Sequence, residues 1–292
     1  MKQYASILFE RSASPAERLT LLNRGEKRSR SWYLCETEFA PILETLRNTP
    51  PARTEENGLI YCSSGKYVWK MDYESSTGKS TVAYKTNPGK TPWRYIFKSS
   101  LTIREMRNYL RFEELGIPVA HVVAVGDQRK NFILQETFIV TEFLENTRDG
   151  RVFMSGGTHR ADREDMLAFC RLNVEQLAKL HHANIFHKAF HARNLLWRKT
   201  ENGKMEVFLI DVARCRKVSS RFMPRAVIWD LHTFFRDMRL KEPEIMEVIE
   251  HYMKTAPQPY LPEGGAAAIM DELLHFRRRL FSRKKYKIIS EE

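Results

Sequence analysis

Leu180-His181-His182-Ala183-Asn184-Ile185-Phe186-His187-Lys188-Ala189-Phe190-His191-Ala192-Arg193-Asn194-Leu195-Leu196 is the stretch that decides how this chain is read. It leaves the end of a helical pattern, DREDMLAFCRLNVEQLAKLHHAN, crosses a polar loop and enters an apolar strand. Four histidines lie close together here, yet neither their spacing nor any accompanying carboxylate resembles a zinc site. Seventeen residues beyond Asn194, the run Phe208-Leu209-Ile210-Asp211 is an apolar strand ending in a carboxylate. Such an aspartate is often only a turn former, but its oxygens also suit a hard cation.

Upstream of this stretch the texture differs. From Gly58 the runs GLIYCSS, KYVWKMDYES and STVAYKT are β-branched and aromatic, and Ser/Gly turns such as Ser76-Thr77-Gly78-Lys79 separate them, which predicts three antiparallel strands. In SLTIREMRNYLRFEELGIPV, Ile103, Met106, Tyr109, Leu110 and Leu115 recur at helical spacing, and Gly116 with Pro118 supplies a stop. HVVAVGD and ETFIVTEFL complete a sheet of five strands carrying one helix. The expected fold is therefore α+β, with a small antiparallel lobe over residues 55–144 and a larger, mainly helical lobe over 145–292. Residues 1–54 are charged and partly helical, close on Asn48-Thr49-Pro50-Pro51, and are expected to form an N-terminal extension.

Composition narrows the class less. The chain has 292 residues, 42% hydrophobic and 29% charged, as a soluble globular protein does. Its net charge of +12 favours polyanionic partners such as phosphates, anionic lipids or nucleic acid, but no nucleic-acid reader motif accompanies it. Cys35, Cys62, Cys170 and Cys215 form no C-x-x-C pair, which fits a reducing compartment. No run reaches the roughly 18 apolar residues a spanning helix needs, and the N-terminus meets Glu10 too soon for a signal peptide. A cytoplasmic protein is expected, with peripheral attachment to a membrane face left open.

Single residues outside the loop each have an ordinary reading and a functional one. Lys85 ends the strand TVAYK, where a lone lysine is usually solvated, and Glu105 follows twenty positions later on the amphipathic helix. A strand lysine paired to a helix glutamate is also how kinases present an ammonium to nucleotide phosphates, which gives the two positions a functional reading beside the ordinary one. Ser64 and Gly65 lie between two strands where a phosphate-covering loop would sit, although one glycine replaces the usual three. Val140 to Leu144, with Glu142 and Leu144, is either an edge strand or an extended hinge whose backbone bonds an adenine edge.

The order Lys85, Glu105, the His187 to Asn194 loop and Asp211 resembles the protein-kinase-like superfamily. FKSSLTIREMRNYLRFEELGIPVAHVVAVGD, FIVTEFL and LIDVARCRK are more narrowly similar to the bacterial lipopolysaccharide core kinases, the Kdo/heptose kinase family, over about residues 58–240. The resemblance implies a two-lobed kinase-like fold and phosphorylation of an inner-core sugar of a glycolipid at the inner membrane's cytoplasmic face, with magnesium-ATP. It assigns Asn194 and Asp211 to magnesium, His187 to the loop's framework, and His191 to the neighbourhood of the phosphates. Asp230 would buttress the loop.

One position departs from that pattern decisively. The family's catalytic aspartate falls on Ala189, whose methyl group neither accepts a proton nor orients a hydroxyl, so transfer should be greatly reduced while nucleotide binding survives. Three readings stay open: an enzyme disabled by this one residue, a natural pseudokinase that binds nucleotide as a scaffold, or a module for anionic membrane surfaces. The last rests on the basic, amphipathic tail LLHFRRRLFSRKKYKII.

Overall fold

A computed structural model describes residues 20–23, 31–63, 65–75, 78–88, 95, 99–154 and 162–282, with side chains described within those ranges from 31 to 275. The chain divides after Glu145 into two compact units. Among the described residues no helix is long and apolar enough to cross a membrane.

The first unit is built on an antiparallel sheet of seven strands rather than the expected five. In chain order these are β1 (Thr20–Asn23), β2 (Trp32–Cys35), β3 (Leu59–Ser63), β4 (Lys66–Ser75), β5 (Gly78–Pro88), β6 (Val122–Lys130) and β7 (Ile133–Glu142). Across the sheet they run β1-β2-β6-β7-β5-β4-β3. The two additional strands come from the stretch read as an N-terminal extension, whose described residues join this sheet. Four residues of Trp-Tyr-Leu-Cys are too short to announce themselves in the sequence. They are strand because β6 offers an open edge, on which Tyr33 pairs with Gly126 and Cys35 with Ala124.

Among the described residues this unit holds two helices, the first of them in the stretch expected to be partly helical. Helix α1 (Ala40–Asn48) buries Leu43 and Leu46 and stops before Pro50-Pro51, which cannot continue it. Helix α2 (Leu101–Glu114) starts where Ser100 Oγ accepts the Ile103 N–H and ends at Gly116, whose φ of 63° makes it an inexpensive stop. It buries Ile103, Met106, Tyr109, Leu110 and Phe112.

An aromatic row crosses the sheet. Trp69 stacks on Tyr84 at 5.6 Å, Tyr84 tilts against Phe138 at 5.9 Å, and Phe138 stacks on Tyr33 at 5.6 Å. Tyr33 lies on β2 and Phe138 on β7, with β6 between them, and both pair with Gly126. A Cβ at Gly126 would lie 2.4 Å from the Tyr33 ring and 2.7 Å from that of Phe138. The glycine inside HVVAVGD therefore leaves room for two rings to close over the middle strand.

The second unit is assembled around helix α3 (Arg163–His182), which begins where Asp162 accepts the Glu164 N–H and buries Phe169, Val174, Leu177 and Leu180 among others. Helices α4 (Met223–Asp237), α5 (Glu242–Thr255) and α6 (Gly265–Ser282) belong to this unit, α3 packing on α5 and α6 on both α4 and α5. A three-stranded sheet runs β11 (Met205–Leu209), β10 (Leu195–Lys199), β8 (Arg148–Asp149). A two-stranded ribbon pairs β12 (Arg216–Lys217) with β9 (Ile185–Phe186). The basic end of the tail, from Arg283 onward, lies outside the described residues, as does Ser64.

If β2 belongs to the core, Tyr33→Ala should cost about 3–5 kcal/mol, as for other buried aromatics. Gly126→Ala should cost about 1–3 kcal/mol through overpacking. Urea unfolding measures both, and a Tyr33→Ala protein as stable as the parent would return residues 1–54 to a peripheral role.

Candidate active site

The decisive loop is organised by one carboxylate. Asp230, on α4 and fully buried, accepts the backbone N–H of His187 at Oδ2 and that of Lys188 at Oδ1, both at 2.8 Å. The His181 imidazole approaches the same Oδ2 at 3.4 Å and holds the Tyr252 hydroxyl at 2.6 Å on its other nitrogen. Trp229 adds an N–H to the Lys188 carbonyl at 3.4 Å. Lys188 is thereby held at a φ of 68°, a conformation that a lysine adopts at a steric cost and keeps only when its surroundings over-determine it.

Past that bend the loop closes on itself. His191 N–H and Asn194 Nδ2 both donate to the Ala189 carbonyl, at 2.8 and 3.0 Å, and Asn194 N–H donates to the His191 carbonyl at 2.8 Å. Ile210 N–H then donates to the Asn194 carbonyl at 3.0 Å, which ties the end of the loop to the residue before Asp211. Asp211 itself is exposed and left-handed, φ 53°, a conformation short polar side chains tolerate. Gly150 approaches the same turn so closely that a Cβ would lie 2.6 Å from the Ala192 carbonyl oxygen.

Four residues expected to act together, His187, Ala189, Asn194 and Asp211, are thus gathered by one loop and one strand end. Ala189 is buried, with a methyl where the resemblance calls for a carboxylate. The His187 ring is fully buried against Phe190 at 5.1 Å, and neither of its nitrogens has a partner among the described residues. Burial pulls its pKa down to about 4, against the opposing pull of Asp230 and Asp211, so it stands in the loop as a neutral ring. Asn194 donates its amide Nδ2 to the Ala189 carbonyl, which turns the amide into the loop. Among the described residues no cluster of three or more His, Cys, Asp or Glu forms a self-sufficient metal site.

The second gathering lies in the first unit. Lys85 Nζ contacts both oxygens of Glu105, at 2.9 and 3.1 Å, and the Glu105 carboxylate is 3% exposed. A carboxylate so desolvated requires a charged partner, and the strand and helix deliver one. Gly65 turns between β3 and β4 with a φ of 80°. Glu142 N–H donates to the His121 carbonyl at the end of β7, and Leu144, two residues on, is buried.

The sequence reading did not anticipate Asp237. Its carboxylate meets His191 Nδ1 at 2.8 Å and pairs with the Arg236 guanidinium at 3.2 Å. Burial works to raise its pKa, but hydrogen bonds and charge from His191 and Arg236 hold it below the ordinary carboxylate range. The spacing of 46 residues hides this pair, as no local pattern links the two positions.

Residues 89–252, more than half of the chain, match the model of the lipopolysaccharide kinase (Kdo/WaaP) family. The chain belongs to that family. Among curated relatives, the 3-deoxy-D-manno-octulosonic acid kinases of two Haemophilus influenzae strains are 29% and 28% identical over 156 residues. That match covers 52% of this chain and 59% of each relative, so the Kdo/WaaP member described here spans only part of their length. A solved structure of WaaP in complex with acyl carrier protein superposes with a TM-score of 0.59 at 16% identity, covering 85% of this chain and 99% of that one. At that identity the likeness bears on the fold alone, which this chain shares with WaaP.

Because the unfolded His187 imidazole takes up its proton near the ordinary 6.5 and the folded one only near 4, acidification through this window favours unfolding. Stability should fall by up to about 1.4 kcal/mol per pH unit from this residue. His187→Phe should flatten that dependence relative to the parent when urea unfolding is followed from pH 7 to pH 4.5. An unchanged slope would mean that the ring is not held neutral. Asp230→Ala, which orphans two buried N–H groups, should cost several kcal/mol, each orphan contributing about 1–3.

Proposed function

We propose that this chain is an ATP-dependent phosphotransferase for a sugar hydroxyl of the lipopolysaccharide inner core, acting at the cytoplasmic face of the inner membrane, with its transfer step impaired by Ala189. The observation that carries the reading is the bidentate contact of Lys85 with the buried Glu105, an arrangement that costs desolvation and holds an ammonium in one place. In this reading Lys85 engages the nucleotide phosphates, and the turn at Ser64 and Gly65 covers them. The backbone from Glu142 to Leu144 receives the adenine edge. Asn194 and Asp211 would hold magnesium, whose charge offsets that of the phosphate oxygens. His187 supports the loop from inside.

What the loop lacks is a group at position 189 to take or orient the acceptor's proton. Its backbone is nevertheless held in place by Asp230, and Asn194 remains bonded to the Ala189 carbonyl. An acid introduced there would enter a loop whose frame does not depend on the missing side chain.

Two measurements test this. ATP with magnesium should raise the melting temperature of the unaltered chain, and Asp211→Ala should abolish the rise. A chain that shows no such rise is not a nucleotide-binding protein of this kind. Ala189→Asp should then increase phosphate transfer to purified inner-core lipopolysaccharide by about a hundredfold or more, the usual worth of a positioned acid or base. Nucleotide binding without any gain in transfer would instead favour a nucleotide-dependent scaffold.

A further inference from the structure

Between Asp211 and Asp230 the chain carries Arg214, Arg216, Lys217, Arg221 and Arg225 and no acidic residue. All five are exposed. None forms an ion pair with a carboxylate among the described residues; Arg216 and Arg221 lie only over the rings of Phe186 and Phe222, at 5.8 and 4.7 Å. Five exposed cations in so short a segment make a local positive field that draws in anionic ligands.

The place of the segment matters as much as its charge. Arg216 pairs with Phe186 and Lys217 with Ile185 in the β9–β12 ribbon, and Val218 N–H donates to the Asn184 carbonyl at 2.9 Å. The basic strand is therefore fastened to the residues that lead directly into His187 and the loop. Phe222, flanked by Arg221 and three residues from Arg225, is 47% exposed and gives this basic segment an apolar surface. Cations interspersed with a bare aromatic ring fit a ligand that is anionic and amphiphilic.

We infer that residues 214–225 form the acceptor subsite, in which Arg216 and Lys217, with Arg221 and Arg225, bind phosphate or carboxylate groups carried by a glycolipid. The inference rests on the phosphotransferase reading and gives its acceptor a chemical class. Guanidinium forks suit both anions, since each accepts two parallel hydrogen bonds. Phe222 lies against the lipid-proximal part. The nucleotide is the other polyanion in the reaction, and it is served by Lys85, Asn194 and Asp211.

Binding decides the matter without requiring turnover. The full chain would be titrated with detergent-dispersed, phosphorylated lipid A bearing an acidic inner-core sugar, with the same lipid after phosphate removal, and with phosphatidylglycerol vesicles. Arg216→Glu/Lys217→Glu should weaken binding of the phosphorylated glycolipid by about tenfold or more, the scale of one lost charge-assisted contact. Arg221→Ala/Arg225→Ala, which introduces no new charge, should weaken it in the same direction. Removing the phosphates should weaken binding to the parent and reduce its sensitivity to both variants. Glycolipid affinity within twofold of the parent in both variants, at unchanged melting temperature, would overturn the subsite. An equal loss on phosphatidylglycerol vesicles would also overturn it, since the surface would then be a general patch for acidic lipid. The melting-temperature rise with ATP and magnesium, measured on the same proteins, separates the two ideas. Its persistence beside an unchanged glycolipid affinity defeats the subsite alone, whereas its absence from the parent defeats the phosphotransferase reading.

Discussion

A single buried carboxylate, that of Asp230, sets the geometry on which the rest of the second unit's site depends. It receives two consecutive backbone N–H groups, from His187 and Lys188, and so determines where the loop turns. A charge with no solvent around it is costly unless its lone pairs are filled, and here backbone donors and the His181 ring fill them. The left-handed backbone at Lys188 follows from this capture, as does the position of the Ala189 carbonyl that Asn194 and His191 then use. None of these contacts involves the side chain at position 189. The loop therefore keeps its shape with alanine there, because its frame does not draw on that side chain.

The first unit solves a comparable problem with apolar matter. Lys85 and Glu105 must meet, one from a strand in the middle of a sheet and the other from a helix laid over it. The sheet is made firm on its other face by the row from Trp69 to Tyr33, and that row closes only because Gly126 has no side chain. Strand β2 and helix α1 complete this face through Tyr33, Leu43 and Leu46. Residues far upstream of the motif region thus support the sheet from which Lys85 projects.

Much of this was legible in the sequence where the signal is local. The periodicity of residues 101–115, the stop at Gly116, and the alternating aromatic strands around TVAYK are all written in neighbouring residues, and the corresponding elements form. Strands β1 and β2 escaped because four residues carry too little pattern; β2 becomes strand by pairing with β6, far along the chain, and β1 by pairing with β2. The Asp237 to His191 contact escaped for the same reason. The basic segment between Asp211 and Asp230 was visible as composition, but its attachment to the loop is a matter of the β9–β12 ribbon.

The sequence by itself determined the order of the chemistry-bearing groups, the two-part architecture and the identity of the residue at position 189, since these are properties of neighbours along the chain. Tertiary structure alone decided which carboxylate holds the loop, which strands close the sheet, and that Ala189 lies in a turn held by backbone bonds, the Asn194 amide and a buried aspartate. The physical reason is desolvation. A carboxylate such as Glu105 or Asp230 acquires its role only when folding removes water from it and obliges it to take a partner, and nothing in its immediate sequence says which partner that will be.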